Sequence, residues 1–142
     1  MVGEENPITV LDRDTSWALL MGERFGRLAV SVADHPDIFP VNFYADDDGI
    51  LIRTAQGTKL LEVTINGAVA FEVDHHDEHG AWSVVLTGTA RVLQSSEEIA
   101  AADALPLRTW IPTLKLVYVR ITPTSVEGRR FRFGPEPTLD LY

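Results

Sequence analysis

Between Gly26 and Phe133 each apolar, alternating run is followed by a tight turn or by one short helical stretch, never by a regular strand–helix repeat. That succession of links favours antiparallel neighbours and disfavours a doubly wound parallel sheet. The longest run is Ala81 to Leu93, which puts Trp82, Val84, Leu86, Ala90 and Val92 on one face, with Gly88 as the expected bend or bulge. Shorter runs cover Gly26 to Val32, Ile38 to Tyr44, Gly49 to Thr54, Ala68 to Val73, Leu114 to Thr122 and, entered through Pro123, Ser125 to Phe133. Pro40 cannot donate to a ladder and marks its strand as an edge or a bulge. Asp34-His35-Pro36-Asp37, Asp46-Asp47-Asp48-Gly49 and the segment from Asp74 to Gly80 read as turns. Helices are expected from about Trp17 to Arg24, capped within Asp14-Thr15-Ser16, from Lys59 to about Ile65, closed by Asn66-Gly67, and from Ser95 to about Leu105. Ser95 with Glu98 three residues on forms a capping box. The expected architecture is a mainly β, antiparallel barrel of six or seven strands with two or three short helices outside it.

The chain has 142 residues, enough for one domain, with its core over about residues 14–133 and loose tails. It has no cysteine, which excludes disulfides and thiolate metal sites and fits a cytoplasmic setting. No apolar run approaches the ~18 residues of a membrane helix. The first residues lack the apolar region of a signal peptide. A net charge of −9 argues against general nucleic-acid binding.

Against that acidic background Arg53-Thr54-Ala55-Gln56-Gly57-Thr58-Lys59 stands out. It lies where a strand gives way to the first turn of a helix, whose leading amides lack partners and attract anions. Arg53 and Lys59 add charge, Thr54 and Thr58 add hydroxyls, and Gly57 allows close backbone approach. The stretch reads as a phosphate site, with an ordinary capped helix start as the alternative. His75, His76 and His79 raise metal binding, but they are consecutive and end in Gly80, as in a polar hairpin loop, so no metal site is expected. Nor does the sequence carry a Ser-His-Asp set or carboxylates paired at a recognisable spacing, so no catalytic side chain is assigned.

An ordered series of short pieces resembles one family. It comprises Gly26-Arg27-Leu28-Ala29, Pro40-Val41-Asn42-Phe43, Arg53-Thr54-Ala55 with Gly57 and Lys59, Phe71-Glu72-Val73-Asp74, Trp82-Ser83-Val84-Val85 with Gly88-Thr89-Ala90, Trp110, and Gly128-Arg129-Arg130. The chain resembles the pyridoxamine 5'-phosphate oxidase-like split barrels, in particular the small FMN-binding group that includes nitroimidazole-resistance proteins. The resemblance implies a split β-barrel that works as a two-fold homodimer and an oxidoreductase acting on a small molecule. FMN would lie in the cleft between subunits. Its phosphate would sit on Arg53, Thr54, Gly57, Thr58 and Lys59, and its ring along Pro40, Val41, Asn42 and Phe43, held largely by backbone. Trp82, Ser83, Trp110 and Arg130 would approach the partner's flavin, with packing in the dimer core as the alternative for Trp82 and Trp110. The deazaflavin F420, or haem in a non-catalytic module, are the alternatives that such a fold leaves open. Only Gly128-Arg129-Arg130-Phe131-Arg132 could replace the Arg-rich C-terminal segment of true pyridoxamine-phosphate oxidases, so that activity itself is not expected.

Overall fold

The computed structural model describes residues 6–64, 67–107 and 116–135. The described elements run β1 (Ile8–Leu11), α1 (Arg13–Met21), β2 (Phe25–Val32), β3 (His35–Asp46), β4 (Gly49–Ala55), α2 (Lys59–Thr64), β5 (Ala68–His76), β6 (Gly80–Val92), α3 (Ser96–Asp103) and β7 (Leu116–Arg132). All pairings are antiparallel, in the order β1-β7-β4-β3-β2-β5-β6, and β6 also pairs with β7. That last pairing closes six strands into a barrel and leaves β1 as an addition to β7. Among the described residues, no helix is long and apolar enough to cross a membrane.

The barrel is filled from alternate positions of each strand. Leu28, Phe43, Ile50, Ile52, Phe71, Val84, Leu86 and Ile121 form its main core, with Leu20 of α1 entering from outside. Phe43 and Phe71 meet edge to face, with ring centroids 5.0 Å apart. Leu51, one residue out of phase with Ile50 and Ile52, faces outward into a second cluster with Leu93, Ala102, Leu107 and Tyr118, where α3 is docked.

Three local expectations are corrected. First, α1 starts four residues earlier than its apolar face indicated. Asp12 caps it, its carboxylate accepting from the Thr15 amide at 2.7 Å. The early start turns Ser16 inward, fully buried, where it donates to the Asp12 carbonyl and lies against Gly128 of β7. Second, the hairpin between β2 and β3 turns on Ala33 and Asp34, both at positive φ (50° and 63°), and His35-Pro36-Asp37 already belongs to β3. Two residues at positive φ make the tight turn whose twist matches an antiparallel pair. Third, Leu116–Arg132 is one continuous strand, not two. It pairs with β6 along one edge, and on the other with β4 at its start and β1 at its end. Pro123 is tolerated because the register slips there: Gly88 faces Pro123 while Thr87 faces Ser125, leaving Thr124 extra. The irregularity expected at Gly88 is present between Thr87 and Gly88, with its extra residue on β7. Gly88 also serves close approach, since a Cβ there would lie 2.3 Å from the Thr122 carbonyl oxygen.

Other features match. The Asp46-to-Gly49 turn links β3 and β4, and Ser95 caps α3 by accepting from the Glu98 amide at 3.1 Å. The histidine-bearing segment is a hairpin, but its loop is shorter than expected: Asp74, His75 and His76 extend β5, pairing with Ser83, Trp82 and Ala81 of β6, and the chain turns only between His76 and Gly80, with Asp77 accepting from the amides of His79 and Gly80. Asn66 lies outside the described residues.

Candidate functional site

Strand β4 ends at Ala55, and the backbone reverses through Gln56 and Gly57 into α2. Gly57 stands at φ +79°, a conformation that side-chain-bearing residues rarely adopt, with open space around it. Thr58 is the helix cap: its hydroxyl accepts from the Leu61 amide at 3.3 Å and donates to the Ala55 carbonyl at 2.9 Å. Thr54 lies behind it, with the two hydroxyl oxygens 3.0 Å apart. The two threonines thus fasten the strand end to the helix start.

Arg53 shares the outward face of Leu51. Its guanidinium carbon stands 5.3 Å from the centroid of the Tyr118 ring, and its Nε is buried with no hydrogen-bond partner among the described residues. A buried donor left unmade is costly, so the atom is aimed where an acceptor belongs. Behind it the Tyr118 hydroxyl donates to Asp103 at 2.6 Å. Burial first, and that hydrogen bond second, push the Tyr118 phenol up to about 12, while the Arg53 charge works the other way.

Beside this corner runs a strand edge that is half open. Over residues 35–42, β3 pairs with β2, and over 43–46 with β4. Among the described residues, no strand takes the other edge of 35–42. The Phe43 amide donates to the Arg24 carbonyl at 2.9 Å, which sets the alternation: odd residues turn their amides to β2 and even ones to the open edge. Ile38 and Asn42 therefore offer donors there, while Pro36 and Pro40 have none to lose. This is the edge position that Pro40 implied. Phe43 differs from its neighbours, for its ring is fully buried in the barrel and its amide is used. Lys59 ties the corner to the open edge, its Nζ lying 3.1 Å from Asp37 Oδ1. On the next strand Arg27, opposite Pro40, binds Glu72 at 2.6 Å and Asp74 at 3.0 Å. Burial, and then hydrogen bonding with Asp74, raise the Glu72 carboxyl above its ordinary range.

Trp82, Ser83 and Arg130 are elsewhere. Trp82 faces Arg130, and Ser83 faces Arg129, across β6 and β7. Trp82 stacks on His75 with ring centroids 6.4 Å apart. Trp82, His75 and Arg130, together with Leu19, Phe131 and Thr9, line a cavity of about 780 Å³, and Ser83, one residue out of phase with Trp82, is not among its lining residues. In strand order β2 and β5 separate β6 from β3, so the predicted site residues lie in two separate places on the chain: the corner with its open edge, and the Trp82–Arg130 cavity. Trp110 lies outside the described residues. Gly128 to Arg132 form part of a barrel strand rather than a free segment.

Sequence reading missed Asp37, taken for a turn residue, and the Tyr118–Asp103 pair behind Arg53. Their roles depend on an ion pair that spans 22 residues, from Asp37 to Lys59, and on a strand pairing that spans 65, from Arg53 to Tyr118. No local pattern signals them. Among the described residues, no group of His, Asp or Glu is placed to hold a metal ion.

A family model described as pyridoxamine 5'-phosphate oxidase matches residues 12–130. A Corynebacterium glutamicum crystal structure, provisionally assigned as a pyridoxamine 5'-phosphate oxidase, is 45% identical, with a TM-score of 0.86 over 94% of this chain and 100% of its own. A Mycobacterium smegmatis FAD-binding protein is 40% identical, with a TM-score of 0.79 over 88% of this chain and 99% of its own. A Mycobacterium tuberculosis protein is 32% identical over 130 residues, 87% of this chain and 85% of its own.

Proposed function

The chain belongs to the pyridoxamine 5'-phosphate oxidase-like family of split barrels, and from that membership and the geometry above we propose that it binds a flavin and serves as a flavin-dependent oxidoreductase of a small molecule. One observation carries the reading. A cationic strand-to-helix corner, with a buried Arg53 Nε that has no partner among the described residues, lies directly beside a strand edge that no described strand covers. A flavin nucleotide needs both: an anion site for its phosphate, and hydrogen-bonding groups along the rim of its ring. The residues present fit it. Arg53, Thr54, Thr58 and Lys59 would hold the phosphate, with Gly57 leaving room, and the backbone of Pro40, Val41 and Asn42 would align the ring. A bound flavin supplies the hydride or electron transfer itself, and the protein supplies binding, orientation and electrostatics. The fully buried Phe43 fixes the strand from behind.

The half-site at Trp82, Ser83 and Arg130 then belongs to the flavin of a second copy, in a two-fold dimer with two identical sites. A single corner favours FMN, because no second glycine-rich loop awaits an adenine nucleotide. FAD is the second reading, favoured by the 40% identical FAD-binding protein of Mycobacterium smegmatis. Heat release of the cofactor from purified protein, with identification by mass, tests the proposal. Recovery of FMN or FAD is expected, and recovery of F420 or haem alone would overturn it.

A further inference from the structure

Among the described residues Arg27, Lys59, Arg91 and Arg120 each pair with a carboxylate, at 2.6 to 3.3 Å. Arg53 pairs with none there. Its guanidinium lies over the ring of Tyr118, its neighbour across β4 and β7, and its buried Nε donor stays unmet among the described residues. The difference has a chemical consequence. A carboxylate would fix the guanidinium by neutralising it and filling its donors. An aromatic face attracts a cation through its quadrupole and brings no opposing charge. Tyr118 therefore limits where the guanidinium can sit and leaves its charge for an incoming anion. The ring is itself fixed. It is 6% exposed, it packs with Leu51, Leu93, Ala102 and Leu107, and its hydroxyl donates to Asp103 at 2.6 Å. Burial, and then that hydrogen bond, push the phenol up to about 12, so it stays neutral beside Arg53 at ordinary pH.

Docking of α3 does not by itself call for the Asp103 bond. Leu93, Ala102 and Leu107 already seat the helix against Leu51. Asp103 is the last residue of α3, where the helix dipole presents its negative end and a carboxylate is locally unfavourable. Its carboxylate is turned to the Tyr118 hydroxyl instead. We propose that Asp103 and Tyr118 are positioning residues: Asp103, at the end of α3, locks the Tyr118 ring, and the ring holds the Arg53 guanidinium towards the flavin phosphate, so that α3 and the anion corner are coupled. The inference rests on the flavin reading above and adds to it two residues that act through Arg53. Coupling of this kind is reciprocal, so a phosphate drawn to Arg53 also tightens the seat of α3.

The test is titration of cofactor-free full-length protein with FMN and with riboflavin, followed by flavin fluorescence, on wild type, Asp103→Ala, Tyr118→Phe and the double variant. Riboflavin has the same ring system and no phosphate, so the ratio of the two affinities reads the corner alone. Asp103 is exposed, so its replacement spares the core, and Tyr118→Phe keeps the buried ring. Wild type should prefer FMN about tenfold or more, as a charge-assisted contact gives. Each single variant should lower that preference about threefold, with riboflavin affinity at the wild-type value. The double variant should lose no more than Tyr118→Phe alone, because both changes remove the same bond. An unchanged ratio in the variants, or an equal loss for both flavins as a merely structural role would give, would overturn the positioning role and leave the flavin reading standing. Equal affinity of wild type for FMN and riboflavin would also overturn it, since no phosphate would then meet Arg53. Failure of wild type to bind FMN, FAD or riboflavin would overturn the flavin reading, and this inference with it.

Discussion

Replacing Lys59 by alanine tests the corner most directly. In the free protein Lys59 is 67% exposed and Asp37 25% exposed, so their 3.1 Å contact is reached by solvent. Such a surface pair is worth about 0–1 kcal/mol, so Lys59→Ala should leave thermal stability nearly unchanged. With a phosphate on the corner the same ammonium faces a full anionic charge. A charge-assisted hydrogen bond is typically worth about 1.5–3 kcal/mol. At ~1.4 kcal/mol per decade, that is a loss of about tenfold to a hundredfold in flavin affinity. Asp37 already neutralises part of the lysine charge, which places the expected loss near the lower bound, about tenfold. The same competition predicts that Asp37→Asn holds or tightens flavin binding. Fluorescence titration at low and high salt measures both, and the gap between wild type and Lys59→Ala should narrow with salt as the exposed charge is screened. If Lys59→Ala, folded by circular dichroism, binds flavin as wild type does, the corner is only a capped helix start.

Three further outcomes follow from the packing. A Cβ on Gly128 would lie 2.1 Å from Ser16 Oγ, so Gly128→Ala should destabilise the fold by about 1–3 kcal/mol, read as a lowered midpoint in thermal unfolding; an unchanged midpoint would mean that α1 does not pack on β7 as described. Tyr118 should ionise near pH 12 rather than at the ordinary 10.0 in an ultraviolet titration. Because its folded pKa is raised, the stabilisation is fully present below pH 10 and is lost as pH rises from 10 towards 12, and replacement of Asp103 by alanine should lower the titration. Val85 is 42% exposed on β6 although Val84 and Leu86 beside it are fully buried, so sedimentation should give twice the 15.7 kDa chain mass and Val85→Glu should lower it; a wild-type monomer that holds flavin tightly would refute the shared site.

Much of this was legible where the physics is local. Burial of Val84, Leu86 and Ala90 was written in the period-two alternation of their strand, because successive side chains point to opposite faces. The Ser95 cap needs only a side chain and an amide three residues on, and the Arg53-to-Lys59 corner needs only a strand end, a glycine and a helix start. Ordered motifs through most of the chain were enough to assign the family. Tertiary structure decided the rest, because strand register and helix docking join residues that no short window contains. Asp12, not a residue among Asp14 to Ser16, caps α1, since Ser16 must turn inward against Gly128, 112 residues further on. Pro123 sits inside one long strand because the extra Thr124 absorbs the slip against β6. The stretch of β3 that stays open beside Lys59, and the separation of Trp82 from that edge by two strands, follow from which strand lies beside which. Pairing order in a closed barrel is a property of the whole chain, and it divides the predicted site residues between two places on the chain.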